Sequence, residues 1–300
     1  MGRGSYTAAD WNKLRNSRNI AQAASETEIF KSTSCDQRFD PRFIQTREAR
    51  DSEDHPESLP IILGLDVTGS MGYLAKMVAQ ESLNETMMKL YSTNAVKDPA
   101  LMFAAYGDVD DISPLQVTQF ESDIRIAEQL LDLWLENAGS GRVVPNLLWY
   151  FAAKHTTLDS YEKRKKKGYI FTIGDSADCR KEGEPGNLPV LYERVFGEKV
   201  DLKVGDIVKG AEEKFNLFHL FLDNDFKKAK NIVSFLPGHT MVIRTDEIDC
   251  IPEIVISTIQ MNEGMSLEDT LKQWPDAKLP VVKRALSELT VKTKKKGLFF

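Results

Sequence analysis

The sequence predicts an α/β protein: an open, doubly wound, mostly parallel sheet with helices on both faces and one antiparallel edge strand. Three observations predict it. Short apolar runs at Ile61–Leu65, Pro99–Tyr106, Tyr169–Ile173 and Phe215–Leu222 have the pattern of strands buried on both faces. Segments with helical spacing alternate with them from residue 60 to residue 262, the order that builds parallel strands joined by helical crossovers. Asp, Ser, Thr and Gly follow the apolar runs, as expected where strand carboxyl ends form a crevice. The plan is Rossmann-like.

In chain order, residues 1–58 are polar and charge-rich. Thr7-Ala8-Ala9-Asp10 has the form of a capping box with Asp in the Glu position, so a helix is expected to about Ala24. Residues 32–58 carry prolines and many charges and read as an extended arm or linker, or as a wrap for the domain that follows. Ile61–Leu65 is the first strand. Met71, Leu74, Met77, Val78 and Leu83 then fall at helical spacing over residues 71–91. Pro99–Tyr106 is the second strand, and Leu115–Phe120 alternates like an edge strand. DIRIAEQLLDLWLE (123–136) is an amphipathic helix, and a Gly/Ser break separates it from a helix at Asn146–His155.

Tyr169–Ile173 is the next strand, with helices expected at Leu188–Phe196 and 204–213. Phe215–Leu222 and His239–Arg244 are strands, with helices at 225–236 and 251–260. Beyond Gly264 two short helices are expected, one capped at Ser266 and one after Pro280. The closing KTKKKGLFF reads as a frayed tail or, alternatively, a docking peptide. The division is therefore 1–58, helix and arm; 59–262, central domain; 263–300, C-terminal extension.

Composition narrows the function classes. The 300 residues are 42% hydrophobic and 28% charged, ordinary for a globular protein. The formal net charge of −6 argues against nucleic acid as a partner. Cys35, Cys179 and Cys250 are odd in number and widely spaced, which suits reduced thiols in a cytoplasmic protein and neither a disulfide framework nor a zinc site. The polar start lacks a signal-peptide core, and no apolar run approaches the roughly 18 residues that span a bilayer, so no membrane partner is expected. Lys163–Lys167 precedes a strand and reads as a solvated loop at the opposite end of the sheet.

The informative stretch is IILGLDVTGSMG, residues 61–72. Asp66 ends a buried strand, Thr68 and Ser70 follow on the turn, and Gly69 and Gly72 allow that turn to be tight. The strand expected beside it, across the point where strand order reverses, ends Gly174-Asp175-Ser176. Two carboxylates meeting in one crevice repel unless a cation neutralises them. Hard oxygen donors suit Mg²⁺, with Mn²⁺ or Ca²⁺ as alternatives. By itself an Asp-Thr-Ser turn is also an ordinary helix cap.

Asp66-Val67-Thr68-Gly69-Ser70-Met71 resembles the DxSxS element of von Willebrand factor A domains, and the resemblance covers about residues 59–262. It implies a metal-ion-dependent adhesion site. Asp66, Thr68 and Ser70 match the first motif and Asp175 the third. The second motif, a Thr in a Gly-rich loop, has no Thr here, and Ser140 in Gly139-Ser140-Gly141 is the candidate substitute. Asp108, beyond the second strand, is a further candidate ligand. The resemblance also implies metal-dependent recognition of a protein partner that presents an acidic side chain. The role would be that of an adaptor, in some members alongside AAA+ ATPases. Asp110, Asp111, Asp223, Asp225 and Asp246 also follow strands and either form an acidic rim or cap loops.

The competing enzyme reading is a serine hydrolase. Thr68-Gly69-Ser70-Met71-Gly72 approaches a nucleophile elbow, and Asp223 or Asp225 and then His239 follow in triad order. Thr68 replaces the first glycine, however, and Asp66 would have no role. No phosphate-binding Gly-rich loop is present.

Overall fold

The computed structural model describes residues 4–20, 25–69, 71–93, 95–176 and 188–289. Its strands are β1 (Arg47–Ala49), β2 (Ser58–Asp66), β3 (Asp98–Tyr106), β4 (Leu115–Val117), β5 (Thr156–Leu158), β6 (Gly168–Gly174), β7 (Phe215–Leu222) and β8 (Thr240–Ile243). The central sheet has the order β4-β3-β2-β6-β7-β8 and is parallel except where β4 runs against β3. The chain winds outward from β2 to β4, then returns to β6 on the other side of β2. The reversal of order between β2 and β6 is where ligands bind in open α/β sheets.

Burial follows the strand alternation. Ile61, Leu63 and Leu65 of β2 enter one apolar layer, while Ile62 enters the other. The first layer is closed by α1 (Ala8–Ser17), α2 (Glu26–Ile29), α3 (Gly72–Met77), α4 (Leu83–Ser92), α5 (Arg125–Leu131), α11 (Ile251–Asn262), α12 (Leu267–Leu271) and α13 (Leu279–Ser287). The second is closed by α6 (Asn146–Lys154), α8 (Leu188–Phe196), α9 (Val204–Lys214) and α10 (Lys230–Phe235), with α7 (Asp159–Arg164) following β5. Every residue of β2 and β6 is buried, as strands covered on both faces must be. No helix among the described residues is long and apolar enough to cross a membrane.

Several segments differ from the sequence expectation for identifiable reasons. The residues read as an extended arm are packed and partly structured. Within residues 32–58, Phe39 sinks into the first apolar layer, Ile44 and Ala49 enter the second, and β1 pairs in parallel with β5; ahead of them Tyr6, Trp11, Ile29 and Phe30 also enter the first layer. Thr7 does cap α1, its hydroxyl accepting from Asp10 N at 3.1 Å, but α1 stops at Ser17; residues 21–24 lie outside the described set. The helix expected over 123–136 ends at Leu131. The buried amide of Gln116 bonds both backbone groups of Trp134, at 2.7 and 3.0 Å, and draws the chain out of the helix. The helix over 71–91 is present with a π-helical turn at Val78–Ser82. Lys163, Arg164 and Lys166 are not free in solvent: they pair with Asp159, Asp51 and Glu263 at 2.7, 2.7 and 3.0 Å. The extension from 263 is docked through Trp274 Nε1, which donates to Ser257 Oγ at 2.7 Å, and through buried Val282 and Leu286.

Candidate functional site

β2 ends on Asp66, whose side chain has no solvent exposure. Oδ1 accepts from Thr68 N at 3.0 Å and from Thr68 Oγ1 at 2.7 Å. Oδ2 is buried with no hydrogen-bond partner among the described residues. Met71 N donates to Thr68 O at 2.7 Å, closing the turn that opens α3. Ser70 lies outside the described residues. Burial pushes the Asp66 carboxyl up to about 7; the two Thr68 bonds oppose the shift, and the charges of Asp175 and Asp111 add to it.

The register Leu65↔Ile173 sets Gly174 beside Asp66 and Asp175 one residue beyond, at the same end of the sheet, where the charge of Asp175 acts on Asp66. The strands approach so closely that a Cβ on Gly174 would lie 2.7 Å from Asp66 Cβ and 2.8 Å from Tyr106 Oη. We expect Gly174→Ala to displace the Asp66 side chain and cost about 1–3 kcal/mol, as overpacking does. Urea unfolding measures it, and an unchanged midpoint would contradict this geometry. Asp175 opens onto a cleft of about 500 Å³ lined also by Thr68, Asn137, Gly139, Ser176 and Lys228.

The Gly-rich loop reaches the site by its backbone. Gly69 N donates to Ala138 O at 3.0 Å. Gly139, at φ +135°, packs so that a Cβ would lie 3.2 Å from Thr68 Cγ2, a position that calls for glycine twice over. Ser140 is turned elsewhere. Its Oγ lies 2.9 Å from Asp108 Oδ1 and 3.1 Å from Asp110 Oδ2, and it accepts from Arg142 Nε at 3.0 Å.

Asp108, also fully buried, organises this loop. Besides the Ser140 hydroxyl, it accepts from Asp110 N at 3.1 Å, Ser140 N at 2.8 Å and Arg142 N at 2.6 Å. Burial works to raise its pKa, but these bonds outweigh it and hold the carboxyl below its ordinary value. Asp111 is the opposite case. Burial is the main cause that lifts it to about 6; Oδ2 accepts from Asp108 N at 2.8 Å, and Oδ1 is without a partner among the described residues.

Among the described residues, the His239 and Asp223 of the hydrolase reading are not brought together. His239 stands at the amino end of β8, its Nδ1 2.9 Å from Leu217 O. Asp223 lies past the carboxyl end of β7, with its N bonded to Ile243 O at 2.9 Å. The rise along β8 from His239 to Ile243 separates the two by about 13 Å. Asp225 lies further along the same exposed turn.

Four neighbours of the site were not singled out from sequence. Tyr73, in the first turn of α3, has its hydroxyl pKa raised by burial and by the charges of Asp175 and Asp66. Glu26 of α2 and the Asn137 side chain both approach the start of α3, at 3.3 and 3.1 Å from where a Cβ on Gly72 would be. Lys228 is the fourth, and its placement has a clear cause. Asp223, only 3% exposed, accepts from the backbone N of Asp225 at 3.0 Å and from those of Lys227 and Lys228 at 2.5 Å. This replaces the first turns of the helix expected from residue 225 and sets Lys228 at the cleft. An Asp followed by a short polar run after a strand is the signal that could have marked such a loop.

No family model matches the chain, and no curated protein matches it. Among solved structures it is similar to the pilus adhesin SpaC from Lactobacillus rhamnosus GG, in an open conformation. That match has 11% identity over 71% of this chain and 31% of that one, with a TM-score of 0.44. It is also similar to a von Willebrand factor type A structure from Catenulispora acidiphila, at 15% identity over 70% of this chain and 44% of that one, with a TM-score of 0.42. This chain spans less than half the length of either. Among the described residues no group of three or more His, Cys, Asp or Glu side chains is arranged to hold a metal ion.

Proposed function

We propose that the crevice at the switch point holds a divalent cation, Mg²⁺ with Mn²⁺ or Ca²⁺ as alternatives, and that the protein uses it to recognise an acidic side chain of a protein partner. The observation that carries this reading is Asp66 Oδ2. A carboxylate oxygen removed from water, lacking a described donor and repelled by the charge of a second carboxylate is costly unless positive charge meets it. The donor set suits a hard ion. Asp66 and Asp175 would supply charge and Thr68 a hydroxyl, with Ser70 the further hydroxyl that the sequence motif offers, and no soft ligand stands among the described residues lining the cleft. Ser140 and Asp108 drop to supporting parts, since each already holds the other.

When bound, the cation would supply positive charge and an open position for an acidic group. The chain's own residues do the rest. Thr68 and the Gly139 loop hold Asp66 in place, and burial of Asp66 sharpens its demand for a counter-charge. An adaptor role in the cytoplasm, alongside an AAA+ ATPase system, belongs to this proposal through the motif resemblance alone.

A cation must displace the proton of Asp66, so its affinity should rise with pH up to about 7 and level off above it. Below that value the expected slope is about tenfold per pH unit. Equilibrium titrations with Mg²⁺ at pH 6 and pH 8 measure it, and equal affinities would contradict the role of Asp66. For recognition itself, affinity capture from lysate is compared in Mg²⁺ and in EDTA, using the wild type, Asp66→Ala and Asp175→Ala. Partners retained by both variants in EDTA would sink the proposal.

A further inference from the structure

We propose that Lys228 is the second anion-binding group of this cleft, so that its ammonium and the cation together grip one carboxylate. The inference rests on the metal reading and deepens it, because that reading leaves a lysine at the mouth of an acidic crevice unexplained.

Lys228 is the one basic side chain among the described residues lining the cleft, which it shares with Asp175 and Thr68. Its backbone is held at the site. The buried carboxylate of Asp223 gathers the amides of 225, 227 and 228, so the loop after β7 presents Lys228 from a fixed turn. α10 begins only at Lys230 because those amides are already spoken for.

Charge balance then identifies the ligand. Ionised Asp66 and Asp175 neutralise a divalent cation between them. The Asp223 carboxylate, which also feels the Lys228 charge, is already held by three backbone amides; the Lys228 ammonium is then the positive charge left at the mouth, which favours an anion over a neutral amide or a second cation. A carboxylate has one oxygen for the cation and one for the ammonium, whose rotatable donors suit a single acceptor. An aspartate or glutamate side chain of a partner meets this description. Lys228 is exposed, and Asp223 keeps its three backbone donors without it, so the fold is expected to survive its replacement.

The two roles of Lys228 act with opposite sign, which makes them testable. Its charge repels the metal and attracts the carboxylate. The full chain is loaded with Mn²⁺ and titrated with propionate, the chemistry of a glutamate side chain. The readout is the fall in water-proton relaxation as bound water is displaced. In Lys228→Gln, Mn²⁺ should bind as tightly as in the wild type or about threefold tighter, while propionate binds about tenfold more weakly. Lys228→Arg should restore propionate binding. Unchanged propionate affinity in Lys228→Gln, or no propionate binding by the Mn²⁺-loaded wild type, overturns the clamp and leaves the metal site standing. Failure of the wild type to bind Mn²⁺ overturns both.

Discussion

Asp66→Asn is expected to abolish divalent-cation binding and, in the same molecule, to stabilise the metal-free protein above pH 7. The opposite signs follow from burial. The Asp66 carboxyl moves from 3.8 to about 7 because its charged form is poorly solvated where it stands. Below about pH 4 it is protonated in the folded and unfolded states alike, and no penalty exists. Between about pH 4 and 7 the folded chain keeps a proton that the unfolded chain has released, so stability falls as pH rises. Above about pH 7 the penalty is complete, with a ceiling of ~4 kcal/mol for a shift of this size.

Asn keeps an oxygen for the Thr68 donors but adds an amide that needs acceptors, so a net gain of ~1–3 kcal/mol at pH 8 is the expectation. Urea unfolding of EDTA-stripped wild type and variant at pH 5 and pH 8 measures it. The gap between the two proteins should widen with pH. A gap that is constant, or that narrows, would mean that Asp66 is not a destabilised anion. In saturating Mg²⁺ the order should reverse, because only the wild type gains ligand-linked stability.

Asp108→Ala is expected to produce the second large effect, on stability rather than directly on the ion. Its two oxygens hold the amides of Asp110, Ser140 and Arg142 and the hydroxyl of Ser140. Removing a buried carboxylate that satisfies several donors leaves those donors stranded, and a loss of ~3–5 kcal/mol follows. The pH dependence runs opposite to that of Asp66. The folded-state pKa of Asp108 is depressed, so its contribution is present above the ordinary carboxylate pKa and fades as pH falls through the folded value. Thermal unfolding at pH 7 checks the magnitude. If Asp108 were instead a ligand, Asp108→Ala would weaken Mg²⁺ binding with little change in the melting temperature.

The layer order was legible in the sequence because each parallel strand is a continuous apolar run and each crossover helix has its own spacing. Ile61–Leu65 and Tyr169–Ile173 could be placed side by side from topology alone, and with them Asp66 and Asp175. What could not be read were the places where a side chain overrules periodicity. Gln116 ends α5 early by taking the backbone of Trp134, and Asp223 delays α10 by taking three amides. Ser140 shows the same limit at the site. Its position in a Gly-rich loop is visible in the sequence, but its commitment to Asp108 depends on a contact 32 residues away. Phe30 and Phe39 illustrate a third kind of loss. The segment before residue 58 looks like a charged linker by composition, yet its few apolar residues are the ones that dock it.

The central claim is that Asp66 and Asp175 together demand a divalent cation. The most direct test is calorimetric titration of the EDTA-stripped chain with Mg²⁺ at pH 8, beside Asp66→Ala and Asp175→Ala. The account predicts a single saturable site in the wild type that is lost or weakened at least ~100-fold in each variant, the scale of removing a charged ligand. Equal binding by all three proteins, or none by the wild type, would contradict it.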